Sequence, residues 1–247
     1  MRTCKMETEQ IYNQLKSALE REIEKNDLKG TEIRIVCRSL SSSEAIGNPE
    51  HDDYPIIKGK EVMIEAAFRG IAGQAFTDEF KNMSLPVEAL LDINTGKQAE
   101  RAAFIAGLNA IYRYLRLCSK TIHCKDEEPL QCAQYLASRE YYQGKKILLV
   151  GLQPRFLEFL GKNNFVRVLD LDPDNIDKER FGVTIESGEN PAEAIEWCDA
   201  IFATGSTIVN GTISHFTACG KPVEYYGVTI QAAARILDLQ SYCHCGR

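Results

Sequence analysis

Between residues 145 and 239 the chain alternates short apolar runs with segments of helical spacing, a rhythm that few folds accept. Lys145 to Gly151 (KKILLVG) is a strand of the kind buried on both faces. Phe165 to Leu171, Ala200 to Ala203 and Pro222 to Tyr226 read as further strands. Pro154 to Gly161, Pro191 to Cys198, Val209 to Cys219 and Ile230 to Leu239 read as the helices between and after them. Strands that alternate with helices imply crossover connections, which make neighbouring strands parallel. The spacing therefore predicts an α/β fold whose C-terminal half is a Rossmann-like, doubly wound parallel sheet.

Before about residue 120 the pattern is different. Thr8 to Lys25 places Ile11, Leu15, Leu19 and Ile23 on one helical stripe, and Gly30 ends that segment. Thr31 to Arg38 alternates as a half-buried strand, Ser39 to Lys60 reads as loop or irregular hairpin, and Glu61 to Phe68 is the next strand. Thr95 to Leu117 is a long helix with Phe104, Ile105, Leu108, Ile111, Tyr112 and Leu115 on one broad face. Asn109 lies beside that face, where it must bond to nearby backbone or point into a cleft. Strands followed by a helix make this an α+β unit, with the boundary in Ser119 to Leu130. The domains are then 1–122 and 123–247.

Composition narrows the function classes. The net charge of -6, from 29 basic and 35 acidic residues, argues against a nucleic-acid or membrane-surface partner. The opening residues are polar and no apolar run is long enough to span a bilayer, so a cytoplasmic protein is expected. Nine cysteines are an odd number without a secretory signal, which suggests reduced thiols and leaves metal chemistry open. A homodimer is the commonest oligomer for such a chain.

Ligands of open parallel sheets collect beyond the carboxyl ends of the strands. The candidates there are Gly151 to Pro154, Asp170 to Pro173, Thr204 to Thr207 and Tyr226 to Thr229. The first turn lacks G-x-G-x-x-G, which disfavours a standard NAD site. Asp170 and Asp172 nevertheless stand about twenty residues further on, the spacing of a ribose-binding acid.

TGSTIVNGT, Thr204 to Thr212, combines two glycines with hydroxyl and amide side chains between a strand and a helix. Such a helix start can offer free N–H groups to an anion, although one of these residues alone would serve as an ordinary cap. Asp78, after the glycine-rich GIAGQAF, either projects a carboxylate toward the second half or caps Asp78 to Asn82. His215 reads as a partly buried helix residue. Cys118, His123, Cys124 and Cys132 lack the paired spacing of a zinc knuckle. Cys243, His244 and Cys245 carry soft metal-ligand chemistry in a segment that is otherwise an ordinary chain end.

GIAGQAFTDEF (70–80), ERAAFIAGLNAIYRYL (100–115), LLVGLQP (148–154), LDLDP (169–173) and ATGSTIVNGT (203–212) together resemble the putative heavy-metal chelation family. That resemblance implies an enolase N-terminal-like domain joined to a Rossmann-like one, with a site in the cleft between them. The matching positions are Gly73, Phe76, Thr77 and Asp78 from the first domain. From the second come Pro154, Asp172, Thr204, Ser206, Thr207, Asn210 and Thr212. The Cys-His-Cys tail is outside the matching motifs.

The expected ligand is a small anionic molecule or a metal chelate. Asp78 and Asp172 would meet the ion, and Asn210 to Thr212 would hold a carboxylate or phosphate. A metal ion is the candidate cofactor, and no residue stands out as a catalytic acid, base or nucleophile. Two alternatives stay open: an enzyme using a nucleotide-like cofactor such as S-adenosylmethionine, with Asp170 or Asp172 on the ribose, and a noncatalytic partner subunit. Oxygen-rich sites suit hard ions whereas heavy metals prefer sulfur, so the motif residues and the family description pull apart.

Overall fold

The computed structural model describes residues 7–30, 34–57 and 61–247. The first helix forms where expected, as α1 (Thr8–Lys25), with its apolar stripe buried and a capping box between Glu7 and Gln10 at its start. β1 (Arg34–Leu40) runs two residues beyond the expected strand, whose first residues, 31–33, lie outside the described ones. The expected loop contains a short helix, α2 (Ser42–Ile46); the end of that loop, 58–60, also lies outside. Ser41 and Glu44 exchange side-chain and backbone bonds as a second capping box, which is why a Ser-rich segment turns helical.

β2 (Val62–Phe68) continues into β3 (Ile71–Thr77), a strand where the sequence reading gave only a glycine-rich turn. Arg69 and Gly70, at φ 48° and 78°, make the two-residue hairpin turn whose twist matches its strands. Gly73 consequently lies inside a strand, against the long helix α3 (Gln98–Tyr114). A Cβ there would come within 2.2 Å of the Ala110 nitrogen, so glycine is what permits the close approach. β4 (Met83–Pro86) completes an antiparallel sheet in the order β3-β2-β1-β4, and residues 78–82 are not helical, so Asp78 caps no helix. Ile64, Ala66, Phe68 and Ala75 join the core shared with α3. Met63 and Leu40 meet Ala45, Ile46, Tyr54 and Ile56 in a smaller cluster.

The second half begins with a helix the sequence reading missed, α4 (Glu128–Ser138), followed by β5 (Lys146–Val150), α5 (Pro154–Leu160) and β6 (Phe165–Asp170). Then come β7 (Glu179–Arg180), β8 (Val183–Ser187), α6 (Ala192–Trp197), β9 (Ala200–Thr204) and α7 (Thr207–Asn210). β10 (Val223–Tyr226), α8 (Gln231–Leu237) and β11 (Gln240–Tyr242) complete it. The sheet order is β11-β10-β9-β5-β6-β8-β7, with only the β7–β8 pair antiparallel. Counted by chain position, the six parallel strands lie in the doubly wound order 3-2-1-4-5-6, and the winding reverses between β5 and β9.

Alternate residues of β5 face opposite layers. Ile147 and Leu149 pack with Leu136 and Leu157 of α4 and α5, while Leu148 and Val150 join the core that extends into the first half. That core runs without interruption from Ile11 and Phe104 to Ile208 and Ala233.

The helix expected over Val209 to Cys219 does not form as one piece. Gly211 at φ 86° breaks the path after α7, and Thr212–His215 continues as a tighter 3-10 turn. No helix among the described residues is long and apolar enough to cross a membrane.

Candidate functional site

A cavity of about 500 Å³, within the range of small-molecule sites, lies beyond the carboxyl ends of β5, β6 and β9, at the reversal of winding. The end of β3 and the Tyr54–Ile56 segment close it from the first half. Of the expected residues, Phe76, Asp78, Asp172, Thr204, Ser206, Thr207, Asn210 and Thr212 line it. Gly73, Thr77 and Pro154 are not in its wall. Gly73 packs on α3, Thr77 is buried and accepts the Glu79 N–H at 3.1 Å, and Pro154 opens α5 beside a smaller cavity of about 200 Å³.

The Thr204–Thr212 loop spends most of its amides on itself, contrary to the expectation of an anion cradle. The Ser206 N–H donates to Thr204 Oγ1 at 3.3 Å, and the Val209 and Asn210 N–H groups donate to the Ser206 carbonyl at 2.9 and 3.0 Å. The Thr212 N–H donates to Asn210 Oδ1 at 3.0 Å. The carbonyl end of α7 is held by the first half of the chain: Tyr12 Oη donates to Ile208 at 2.9 Å, Arg101 Nε to Val209 at 2.6 Å and Thr8 Oγ1 to Gly211 at 2.8 Å. The loop therefore meets the cavity mainly with side-chain hydroxyls and an amide.

Four carboxylates, Glu61, Asp78, Asp170 and Asp172, line the cavity, and no Lys or Arg does so among the described residues. Asp170 accepts the Leu152 N–H on one oxygen and the Asp172 N–H on the other, both at 2.7 Å, so it braces two strand-end loops. Burial nonetheless raises its pKa, against the pull of those N–H donors. Asp172 accepts the Asp174 N–H at 2.9 Å, and Asp78 accepts from Gln98 Nε2. Glu61 is pushed up to about 7, first by loss of water and then by the charges of Asp170, Asp78 and Asp172. This is a negative, partly dry chamber.

Other side chains fix the two halves around it. Asn109, fully buried, donates from Nδ2 to the carbonyls of Gln74, Val228 and Thr229 at 2.9, 3.2 and 3.1 Å. Its Oδ1 accepts the Ala232 N–H at 3.0 Å, and the Phe76 N–H donates to Thr229 Oγ1 at 3.0 Å. Sequence reasoning missed the buried Arg155, which pairs with Asp53 at 2.7 Å and Glu158 at 2.6 Å and so docks the Tyr54–Ile56 segment. It also missed Glu61. No local pattern marks Glu61, which stands just before β2, a strand that carries another acid, Glu65. Tyr226 Oη donates to the Gly151 carbonyl at 2.9 Å, and burial raises its pKa.

Cys243, His244 and Cys245 turn to separate neighbours. Cys243 lines the cavity, His244 stacks on Tyr135 at 3.9 Å between ring centres, and the Cys245 N–H donates to Cys132 Sγ at 3.2 Å. Among the described residues no three His, Cys, Asp or Glu side chains form a group that could hold a metal ion. The chain end is pinned: Arg247 and Ile122 exchange backbone bonds at 2.9 Å each, and Arg247 pairs with Glu128 at 2.7 Å.

Comparison with known proteins places this geometry in context. Residues 134–239 match the model of the DUF364 family, described as "Putative heavy-metal chelation". Among solved structures the chain is similar to a DUF364-family protein of unknown function from Pyrococcus horikoshii. That likeness has a TM-score of 0.55 and 16% identity, and covers 89% of this chain and 79% of that one. A second DUF364-family structure, also of unknown function, from Desulfitobacterium hafniense DCB-2, gives a TM-score of 0.46 at 14% identity, covering 66% of each chain. No curated protein matches. The likeness to the Pyrococcus protein supports the mixed α/β fold. The family resemblance therefore holds for the motifs at 148–154, 169–173 and 203–212, and across residues 134–239 the chain matches the family described as putative heavy-metal chelation.

Proposed function

We propose that the protein binds a small metal chelate in the cavity between its two halves, with the metal ion as cargo. The observation that carries this reading is the set of four carboxylates lining a cavity with no Lys or Arg among its described residues. Such a field attracts a cation and repels a bare anion. Asp78 and Asp172 would face the ion, as would hydroxyls of Ser206 and Thr212, while Tyr54, Ile56, Leu152 and Phe156 offer an apolar wall to the organic part. The self-bonded loop favours a chelate over a phosphate or simple carboxylate. The Rossmann-like strand order agrees with a ligand at this position, and the family description agrees with one that carries a metal.

Native mass spectrometry with elemental analysis of freshly purified protein tests the reading, followed by thermal shifts with Ni2+, Co2+ or Zn2+ alone and as citrate complexes. A retained ion, or a shift that Asp172→Asn abolishes, is expected. A shift with S-adenosylmethionine but with none of the metals would contradict the reading and favour the nucleotide-like cofactor.

A further inference from the structure

Four thiols gather beside the cavity. Cys124 precedes α4, Cys132 lies on it, and Cys243 and Cys245 come from the chain end beside β11. Cys124, Cys132 and Cys243 line the cavity itself. None of the four falls within residues 134–239, so the matched family segment does not contain this cluster.

One of these sulfurs has a backbone donor. Cys132 Sγ accepts the Cys245 N–H at 3.2 Å. An N–H aimed at a sulfur stabilises its thiolate, the nucleophilic form. We propose that Cys132 and Cys245 are a reactive dithiol, oxidised to a disulfide by a hydroperoxide small enough to enter the cavity. Cys245 is the better resolving partner because its own backbone already contacts the Cys132 sulfur and it is only partly covered. Cys124 is buried. The hydrogen bond from Cys124, then those from Cys245, lower the Cys132 pKa, while the same bond raises that of Cys124.

The Cys132 thiolate attacks one peroxide oxygen, the O–O bond breaks, and the other oxygen leaves as water or alcohol after taking a proton. Cys132 is then a sulfenic acid. Cys245 sulfur attacks the Cys132 sulfur, the S–O bond breaks, and that oxygen leaves as water with the thiol proton. Two thiols have given two electrons to the peroxide, and the chain end is bonded to α4.

The test treats the full chain with hydrogen peroxide, blocks remaining thiols with iodoacetamide and maps bridges by peptide mass spectrometry. A Cys132–Cys245 bridge is expected. In Cys245→Ser, whose fold is checked by circular dichroism, the dimedone adduct of Cys132 should rise at least tenfold over wild type. Cys132→Ser should remove both signals. Full alkylation of Cys132 after peroxide, a Cys124–Cys132 bridge in place of the expected one, or no dimedone adduct in Cys245→Ser would each overturn the assignment. Metal or chelate binding is not read in this experiment, so its outcome is independent of the cavity's ligand.

Discussion

Asn109 Oδ1, on the long helix of the first half, accepts the Ala232 N–H at the start of α8 in the second half, at 3.0 Å. The same amide donates to three carbonyls, so one fully buried side chain fixes both β3 and the Val228–Thr229 turn that borders the cavity. Asn109→Leu would leave those groups without their partner in a dry site, at about 1–3 kcal/mol for an unsatisfied polar group. Urea denaturation should show a loss of about 3 kcal/mol, with weaker ligand binding than any surface substitution gives.

Gly73→Ala tests the contact between β3 and α3. The added methyl would lie 2.2 Å from the Ala110 nitrogen and 2.6 Å from the Ala106 oxygen, and backbone cannot yield as a side chain tip can. Overpacking of this kind costs about 1–3 kcal/mol or more. A lower denaturation midpoint is expected, and an unchanged one would contradict the close approach.

Glu61 and His123 should give opposite pH slopes in the ligand-free protein. Glu61 rises from 4.5 to about 7 on folding, so the native state holds the proton more tightly. Its contribution is fully present below about 4.5 and is lost as pH rises through about 7, by on the order of 3 kcal/mol. His123 packs against Phe76 and contacts the Cys124 carbonyl, and burial lowers it from 6.5 to about 4. It therefore costs stability as pH falls from about 6.5 toward 4. Thermal melts of Glu61→Gln should become relatively more stable than wild type as pH rises from 5 to 8. His123→Asn should lose less stability than wild type on acidification from 7 to 4.5.

Asp53→Asn weakens the anchor of the cavity's outer wall. Arg155 is buried and would keep only Glu158 as an anionic partner. Loss of one partner of a buried pair costs more than loss of an exposed one. Limited proteolysis should cut between residues 48 and 57 several-fold faster, with α5 still folded.

β5 and β9 were legible because they are apolar on both faces and alternate with helices, whereas α4, β8 and β11 were not, since the strands VTIES and QSY are short and half polar. α1 was equally clear from its stripe of Ile11, Leu15, Leu19 and Ile23. β3 was not, because Gly73 looks like a turn residue until α3 is packed against it. Gly211 had the reverse effect: its left-handed backbone splits a segment whose composition suits one helix. Most motif residues did converge on the cavity, since strand-end loops must meet there. The amide pairing within Thr204–Thr212 was hidden, because the same Ser, Thr and Asn residues serve a cradle and a self-bonded loop alike. Glu61, Arg155 and the thiol cluster depend on contacts between distant segments, which no local spacing encodes.

Calorimetric titration of Ni2+ and its citrate complex into wild type and into the Asp78→Asn, Asp172→Asn double variant tests the cation-binding cavity most directly. One site per chain in the wild type, weakened at least tenfold in the double variant with an unchanged melting profile in the absence of metal, is the predicted result. Equal affinity in both proteins, or no binding to the wild type, would contradict it.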